Sequence, residues 1–549
     1  MKHFTLTLCF LISISCFSQM PPWGHAAQGI GDFYDEGTSV TFSRNYDLYV
    51  TGYFASDSIT FGNITLHSNG SSDAYVVKYD QYLTPIWAVA IGGEGDDYGM
   101  GITCDSLDNI IVVGNYGSDS LILGSTILTN RDSGTPDMFI ARIDVNGNFV
   151  WARGEGGRNW DNCSGVDIHN AQQEIYVSGA FYIDTMFIGN DTLLNRGNYD
   201  MVLMKFDMNG NYLWSRSAGG NFNDLANAVA VDESGYVITT GGFASDSLPF
   251  PTTTLINPLA GLPETWVVRY DSQGNFDWAR RAGAGDNDHA VACDVDLNGN
   301  IYLGGHFHSG SMTFASDTLV NQGQGDVYLL VYDQSGNELW AKSAGGPEQD
   351  FGYGVFVDHL GNIFTSGMYQ SLSVNFGPYT FNNPNINENM FLVMYDANGN
   401  ELDTLSGGGL GSDYMTSLVV NDAGVYGVGG FGTPVMAMGA TTLINTDASG
   451  NTYDMFIATT ALPLSVSDEN RNGSISVSPN PSSGLFVCKT VFQTPVVVRV
   501  YNILGEEIVI RTENNSSVFS VDLVGHPKGL YYMVVEADGQ KETVKLLSQ

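Results

Sequence analysis

The sequence predicts an all-β chain: a seven-bladed β-propeller of four-stranded blades, its ring closed by the N-terminal strand, followed by a small Ig-like β-sandwich. Three observations carry this. A loose motif, clearest from Trp151 to Val166, returns seven times, from Trp23, Trp87, Trp151, Trp214, Trp278, Trp340 and Asp403, at steps of 64, 64, 63, 64, 62 and 63 residues. Each unit holds four short apolar runs between glycine-rich turns and no helix-period segment. The two ends of the array carry complementary halves of one unit.

In chain order, the first element is a leader. Met1-Lys2-His3 is a basic start, Phe4–Phe17 an apolar run, and Ser18-Gln19 a small-residue exit, which predicts a signal peptide over 1–18 cut after Ser18. The apolar run is too short to span a bilayer. Lipidation at Cys16 is the alternative, with Ser13 standing where such signals usually carry leucine. No other stretch reaches 18 consecutive apolar residues, so the mature chain is expected to be exported and soluble, with no transmembrane segment.

The repeats occupy residues 20–462. In the third, Gly165–Ile168 and Glu174–Ser178 are two apolar runs joined by a polar turn, and Asp200–Phe206 and Tyr212–Trp214 are two more, joined by Asp207-Met-Asn-Gly-Asn211. Asp-x-x-Gly-Asn suits a tight hairpin, because glycine takes the left-handed position and aspartate bonds the turn backbone. It recurs at Asp144–Asn148, Asp271–Asn275, Asp333–Asn337 and Asp396–Asn400, and decays to Asp80-Gln-Tyr-Leu83 in the first repeat. One aromatic follows each second strand: Phe54, Tyr116, Phe181, Phe243, Phe307, Tyr369 and Phe431. With the tryptophans, these read as packing between blades. The last repeat stops after its third strand at Asp454–Thr460, while Pro22–Gln28 has nothing before it; pairing the two completes the seventh blade and leaves no open edge.

With the aspartate turns on one face, the long connections fall on the other. These are the loops near Gly92–Asp97, Gly156–Asp161 and Gly219–Asp224, and the excursions Ala55–Ser72 and Ala244–Glu264. Long loops on a rigid scaffold are where ligands are expected.

Charge narrows the partners. Twenty-one basic against 59 acidic residues give a net charge of −38, which repels phosphate backbones and anionic lipid and excludes nucleic acid as a natural ligand. Cysteines 9 and 16 lie in the leader; Cys104, Cys163, Cys293 and Cys488 have no metal-like spacing and are expected to be free thiols.

Candidate site residues each have a structural reading beside the functional one. Asp35, Asp97, Asp161, Asp224, Asp288, Asp350 and Asp413 hold one place per repeat, before the inner strand. They would form a ring of ligand-face carboxylates around a channel mouth, or cap local backbone donors once per blade. Asp294, Asp296 and Asn298 resemble the start of a calcium loop, yet Gly305 stands where the bidentate acid belongs, and the segment coincides with an ordinary hairpin turn. His306 and His308 share a face of one strand and His289 lies in the same blade; three imidazoles suit a transition metal, or are incidental. No nucleophile elbow, metalloprotease helix or phosphate loop occurs, so no catalytic residue is assigned and the chain is expected not to be an enzyme. No cofactor is expected, calcium being the one ion the pattern admits.

After a polar linker at 463–473, residues 474–549 carry strand-like runs at Ile475–Val477, Leu485–Lys489, Val496–Tyr501 and Leu530–Val535. Four landmarks occur in order: Ser478-Pro-Asn-Pro-Ser-Ser-Gly-Leu485, Val500-Tyr-Asn-Ile-Leu-Gly-Glu-Glu-Ile508, Pro527-Lys-Gly-Leu-Tyr-Tyr-Met-Val-Val535 and Lys541–Leu547. Together they resemble the type A sorting domain of the Bacteroidetes type IX secretion system. The resemblance implies export across the outer membrane by that machinery, and it makes Pro479, Asn480, Pro481, Gly484, Gly505, Gly529 and Tyr531 part of an address rather than a reaction site. The repeats, clearest in Trp278–Gly305, resemble the seven-bladed β-propeller repeat family of secreted bacterial proteins, which implies a fold and little chemistry. The functional expectation is a non-enzymatic surface or secreted module that binds an extracellular glycan or protein. A polysaccharide-acting hydrolase or lyase on the same loop face is the alternative.

Overall fold

A computed structural model describes residues 20–460 apart from 183–184, 190, 422–423 and 448–451, and then 475–478, 485–490, 496–502, 507–513, 518–523, 526, 529–537 and 540–548. The leader, the linker 463–473 and, of the sorting landmarks, Pro479, Asn480, Pro481, Gly484 and Gly505 lie outside the described residues.

The chain forms two units, residues 1–462 and 463–549. In the first, seven antiparallel blades follow one another, six of them four-stranded sheets and the closing one extended to six strands by the hairpin Ser58–His67, which pairs with the end of the first strand. The first blade runs Asp35–Phe42, Leu48–Phe54, Asp73–Tyr79 and Pro85–Ile91, from inner to outer strand. Inner strands touch their neighbours all the way round, and Asp413–Asn421 returns to Asp35–Phe42, so the ring is closed. The closing strand is as expected: His25–Ile30 pairs antiparallel with Asp454–Thr459, Ala26 opposite Ala458.

The turns explain why the strands stop where they do. At Asp144 one carboxylate oxygen accepts the N–H groups of Asn146 and Asn148, both at 2.9 Å, and Gly147 takes a φ of 88°. The decayed turn keeps this shape with Leu83 at a φ of 60° in the glycine's place. Leu83 is buried among core residues, and that packing offsets the left-handed strain. Four outer tryptophans, Trp87, Trp151, Trp214 and Trp278, then tie their blades to the following turn: the Trp214 indole N–H donates to the Ser272 carbonyl at 3.1 Å, and Trp278 to that of Gln334 at 3.2 Å. The seven second-strand aromatics are buried core, as the pattern predicts.

Two features depart from the sequence reading. The excursions are not open loops: Ala55–Ser72 holds a hairpin of Ser58–Phe61 and Ile64–His67, and Ala244–Glu264 one of Ser247–Pro249 and Thr254–Ile256. Their alternating pattern buries Ile59, Phe61, Leu248 and Leu255 against the blade, so much of this chain is spent on packing. Each inner strand also carries a β-bulge at its third or fourth residue, as between Gly37 and Ser39 and between Gly352 and Gly354. The bulged residues stitch blades together: Thr38 Oγ1 donates to the Gly99 carbonyl at 2.7 Å, and Asn227 to that of Ala290 at 2.8 Å.

The second unit has a three-stranded sheet of Ile475–Ser478, Leu485–Thr490 and Val518–Asp522, and a four-stranded sheet of Glu507–Glu513, Val496–Asn502, Gly529–Ala537 and Gln540–Ser548. Phe486 and Val521 from the first meet Val500, Met533 and Val535 from the second in one apolar cluster, which makes a small sandwich. Gly529 opens one of its strands and Tyr531 is buried in this core.

Candidate functional site on the loop face

The aspartate that starts each inner strand is buried and fully engaged. Asp97 Oδ2 accepts the Gly93 N–H at 2.8 Å and the Ser118 hydroxyl at 2.6 Å, and its Oδ1 accepts the Ser118 N–H at 3.3 Å. Asp224 does the same with Gly220 and Ser245, Asp350 with Gly346 and Ser371, Asp288 with Ala284 and Ser309, and Asp413 with Gly409 and Thr433. Asp35 holds Ser56, and Asp161 holds Gly157. Six of the carboxylates thereby latch the loop before the strand to the start of the hairpin connection, while Asp35 holds the connection at Ser56, whose hydroxyl accepts the Asp32 and Phe33 N–H groups. Burial pushes Asp35 up to about 7 and Asp161 to about 8, against the donors that pull them down. The seven are 0 or 1 % exposed, so they line no channel mouth.

The calcium-like segment is also used locally. Asp296 Oδ1 accepts the N–H groups of Asn298 and Asn300, at 2.9 and 2.8 Å, closing the hairpin turn. Asp294 turns instead to the next blade and accepts the Val357 N–H at 2.7 Å. The three histidines do come together. His289 and His306 are cross-strand partners with ring centroids 5.5 Å apart, and His306 and His308 are 5.6 Å apart. His308 Nδ1 sits 2.6 Å from the Asn287 carbonyl, His289 Nε2 2.9 Å from its side-chain oxygen, and His306 stacks on Phe351 at 4.1 Å. Burial lowers His289 to about 4 and His306 to about 3, so both are neutral imidazoles at neutral pH. Among the described residues, no group of three or more His, Cys, Asp or Glu is placed to hold a metal ion.

What varies between blades lies one residue beyond the latch. The position after the aspartate is Glu36, Tyr98, Asn162, Leu225, His289, Phe351 or Tyr414, and each is half-buried at a blade interface or left more open. On one side these side chains build a tyrosine cluster. The Tyr53 hydroxyl donates to Glu36 Oε2 at 2.7 Å and lies 3.3 Å from the Tyr453 hydroxyl. Tyr53 meets Tyr98 edge-on at 4.9 Å, Tyr453 meets Tyr34 at 4.9 Å and Tyr414 at 5.6 Å, and Tyr353 meets Tyr414 at 6.4 Å. Desolvation raises the Glu36 carboxyl above its ordinary value, while the hydroxyls of Tyr53 and Tyr414 oppose this. The loops leading into the inner strands add Phe33, Trp160, Phe222 and Leu410, exposed by 48, 51, 37 and 69 %. Sequence reasoning fixed on the invariant aspartate and passed over its variable neighbour. The signal was there: a repeat that holds one position constant and scatters Glu, Tyr, His and Phe at the next.

On the turn face, a cavity of about 60 Å³ is lined by Met20, Pro21, Leu360, Phe364, Met394 and Val425 among others. It belongs to the region where Asp403 replaces the tryptophan of the other repeats and accepts the Met20 N–H at 2.6 Å.

Comparison with known proteins places these features. Residues 476–549 match the family described as the secretion system C-terminal sorting domain. An uncharacterised WD repeat-containing protein of Acanthamoeba polyphaga mimivirus is 23 % identical over 428 residues, covering 63 % of this chain and 30 % of its own length. The regulatory protein FlaEY of Caulobacter vibrioides is 29 % identical over 160 residues, 28 % of this chain and 17 % of its own. The chain thus spans less than a third of either relative. Among solved structures, a puromycin hydrolase shares 10 % identity with a TM-score of 0.40 over 86 % of this chain and 62 % of its own, which informs neither chemistry nor ligand. The chain is a seven-bladed β-propeller bearing a type IX secretion C-terminal sorting domain, and so a protein delivered to the cell surface or the extracellular space.

Proposed function

We propose that this propeller is a non-enzymatic binding module, and that its loop face holds an extracellular glycan or protein. The observation that supports the reading is the Glu36–Tyr53–Tyr414–Tyr453 cluster, flanked through Tyr34 by solvent-exposed Phe33, with Trp160 also exposed on the loop into the third blade. Aromatic rings with polar tips offer large contact area at low entropic cost, on a scaffold whose latches hold the loops in place. The test is a glycan and extracellular-protein binding array with the full chain, run with and without calcium. Saturable binding that Tyr53→Ala and Trp160→Ala each weaken at least about tenfold supports the reading. Binding indifferent to both overturns it. Dependence of binding on calcium would add that ion as a ligand of the complex.

A second reading is favoured by one feature. Glu36 is a carboxyl raised by desolvation and bonded to a phenol, an arrangement a polysaccharide hydrolase or lyase uses for proton transfer. Turnover of a bound polysaccharide, lost in Glu36→Gln with binding retained, would select it over the binding module.

A further inference from the structure

The third strand of each blade begins with a second acid: Asp73, Asp137, Asp200, Glu264, Asp326 and Asp454, with Asn389 in the sixth blade. Each stands beside the core aromatic of its own blade, as Asp73 does opposite Phe54 and Asp326 opposite Phe307. At three interfaces it meets the latch aspartate of the following blade over a shared glycine, and at the other four the two carboxylates lie close enough to repel each other. A methyl on Gly156 would lie 2.3 Å from Asp137 Oδ1 and 3.0 Å from Asp161 Oδ2; on Gly283, 2.5 Å from Glu264 Oε2 and 2.7 Å from Asp288 Oδ2; on Gly408, 2.0 Å from Asn389 Oδ1 and 3.0 Å from Asp413 Oδ2. Only glycine fits between the paired groups.

The two members of a pair are not equivalent. The latch aspartate takes up to four donors, as Asp350 does from Gly346, Gln370 and Ser371. Its partner takes fewer: one N–H on Oδ2 from Arg131 for Asp137, Arg196 for Asp200 and Gln322 for Asp326, while Asp73 adds the Asn69 side chain to the Asn69 N–H and Asp454 adds the Gly31 N–H to that of Thr446. The other oxygen, Oδ1 of Asp73, Asp137, Asp200, Asp326 and Asp454, is buried with no donor, in residues 0 to 2 % exposed. The same orphan atom recurs in five blades. A buried, ionised oxygen without a donor and next to a second carboxylate is strongly unfavourable. A proton on it converts the orphan acceptor into a donor facing its neighbour.

We propose that the pairs with an orphan oxygen each hold one proton at mildly acidic pH and shed it as pH rises past neutral, so that the propeller ring is locked by protons that alkaline conditions remove. The sixth interface carries the isostere: Asn389 is an uncharged stand-in for a protonated aspartate, and half a turn about its Cβ–Cγ bond puts an N–H where the others have Oδ1. Cations stand beside some pairs without cancelling the effect, since Asp200 and Glu264 still rise to about 7 and Asp161 to about 8. The Arg196 guanidinium lies 3.7 Å from Asp200, that of Arg281 2.9 Å from Glu264, and Arg131 acts on Asp137 and Asp161. The pairs Asp73–Asp97, Asp326–Asp350 and Asp454–Asp35 have no such cation, and Asp96 and Asp32 add repulsion to the first and third. A calcium ion fits less well, since it takes six to eight oxygens, and a pair leaves at most one free; Glu264 leaves none. Burial raises Asp73 to about 6 and Asp326 and Asp454 to about 7. Folded values above the unfolded value of about 3.9 mean that the stabilisation is complete below about pH 4 and lost as pH rises through 6 to 7.

The experiment compares thermal unfolding of the full-length protein with a D73N/D326N/D454N variant between about pH 5.5 and pH 8.5. The wild type is expected to lose roughly 5–10 °C in Tm over that range, and the variant, which keeps the other pairs, clearly less, standing above the wild type at the alkaline end. A wild-type Tm that does not fall, or a variant with an undiminished slope, overturns the proposal. So does a wild-type Tm at pH 8.5 raised by millimolar calcium but unmoved in the variant, which would give the oxygens to a cation. Should the variant fail to fold, infrared spectroscopy of the wild type decides: a buried carboxylic-acid carbonyl band at about pH 5.5 that disappears by about pH 8.5 supports the shared proton, and its absence overturns it.

Discussion

Ala27 stands opposite Ile457 in an antiparallel ladder, so one sheet of the ring is assembled from both ends of the repeat array. Neighbouring Ala26 turns its N–H the other way, to Thr441 Oγ1 at 3.1 Å, which leaves the Ala27 N–H facing the ladder. Proline at 27 removes that donor and clashes with the pleat. Ala27→Pro should cost about 3 kcal/mol or more and lower Tm as a single cooperative transition. Retention of the wild-type Tm would mean that the other six blades hold the ring without its closing strand.

The latch predicts a graded series. Ser118 donates its hydroxyl to Asp97 at 2.6 Å and accepts the Gly95 N–H at 2.9 Å, so Ser118→Ala leaves one buried acceptor and one buried donor short. The expected loss is about 1–3 kcal/mol in urea unfolding, with no change in loop-face binding. Asp97→Ala should cost more, since it releases Gly93 and both donors of Ser118 together. Equal costs would show that the hydroxyl alone carries the latch.

How much of this was legible depends on period. The ring, its closure and the aspartate of each inner strand follow from a repeat of fixed length, because every copy must bury the same face against its neighbour. The outer hairpins were misread as loops since Ser58–His67 and Ser247–Ile256 are interrupted by single turns and alternate over only a few residues. The acids at Asp73 and its equivalents repeat as faithfully as the latch, but their pairing crosses from one blade to the next. One-dimensional spacing does not show which repeats touch. The tyrosine cluster is harder still: Glu36, Tyr53, Tyr414 and Tyr453 come from the two ends of the chain and meet only through closure.

Glycine in the outer turn is required twice over. Gly336 has a φ of 74°, and a Cβ there would lie 2.8 Å from the Trp278 ring. Gly336→Val therefore combines left-handed strain with a clash against the indole that ties two blades through the Gln334 carbonyl. A destabilisation of about 2–3 kcal/mol is expected, measured by chemical denaturation, whereas Ser335→Val in the same turn should stay within about 0.5 kcal/mol. Comparable losses at both positions would place the constraint in the turn as a whole.

The four thiols of the described residues test the burial pattern chemically. Cys104, Cys163, Cys293 and Cys488 form no disulfide, and Cys163 and Cys488 are buried. Desolvation pushes the Cys104 thiol up to about 12, raised further by Asp108 and Asp105, and raises Cys163 and Cys293 as well. Since the thiolate is the nucleophile, alkylation by iodoacetamide at about pH 8 should run at least about a hundredfold slower for the three propeller thiols in the native state than in denaturant. A reducing agent should leave Tm unchanged, because no disulfide contributes. Rapid native labelling of Cys163 would show that the inner strand of the third blade opens locally, and would locate the weakest blade of the ring there.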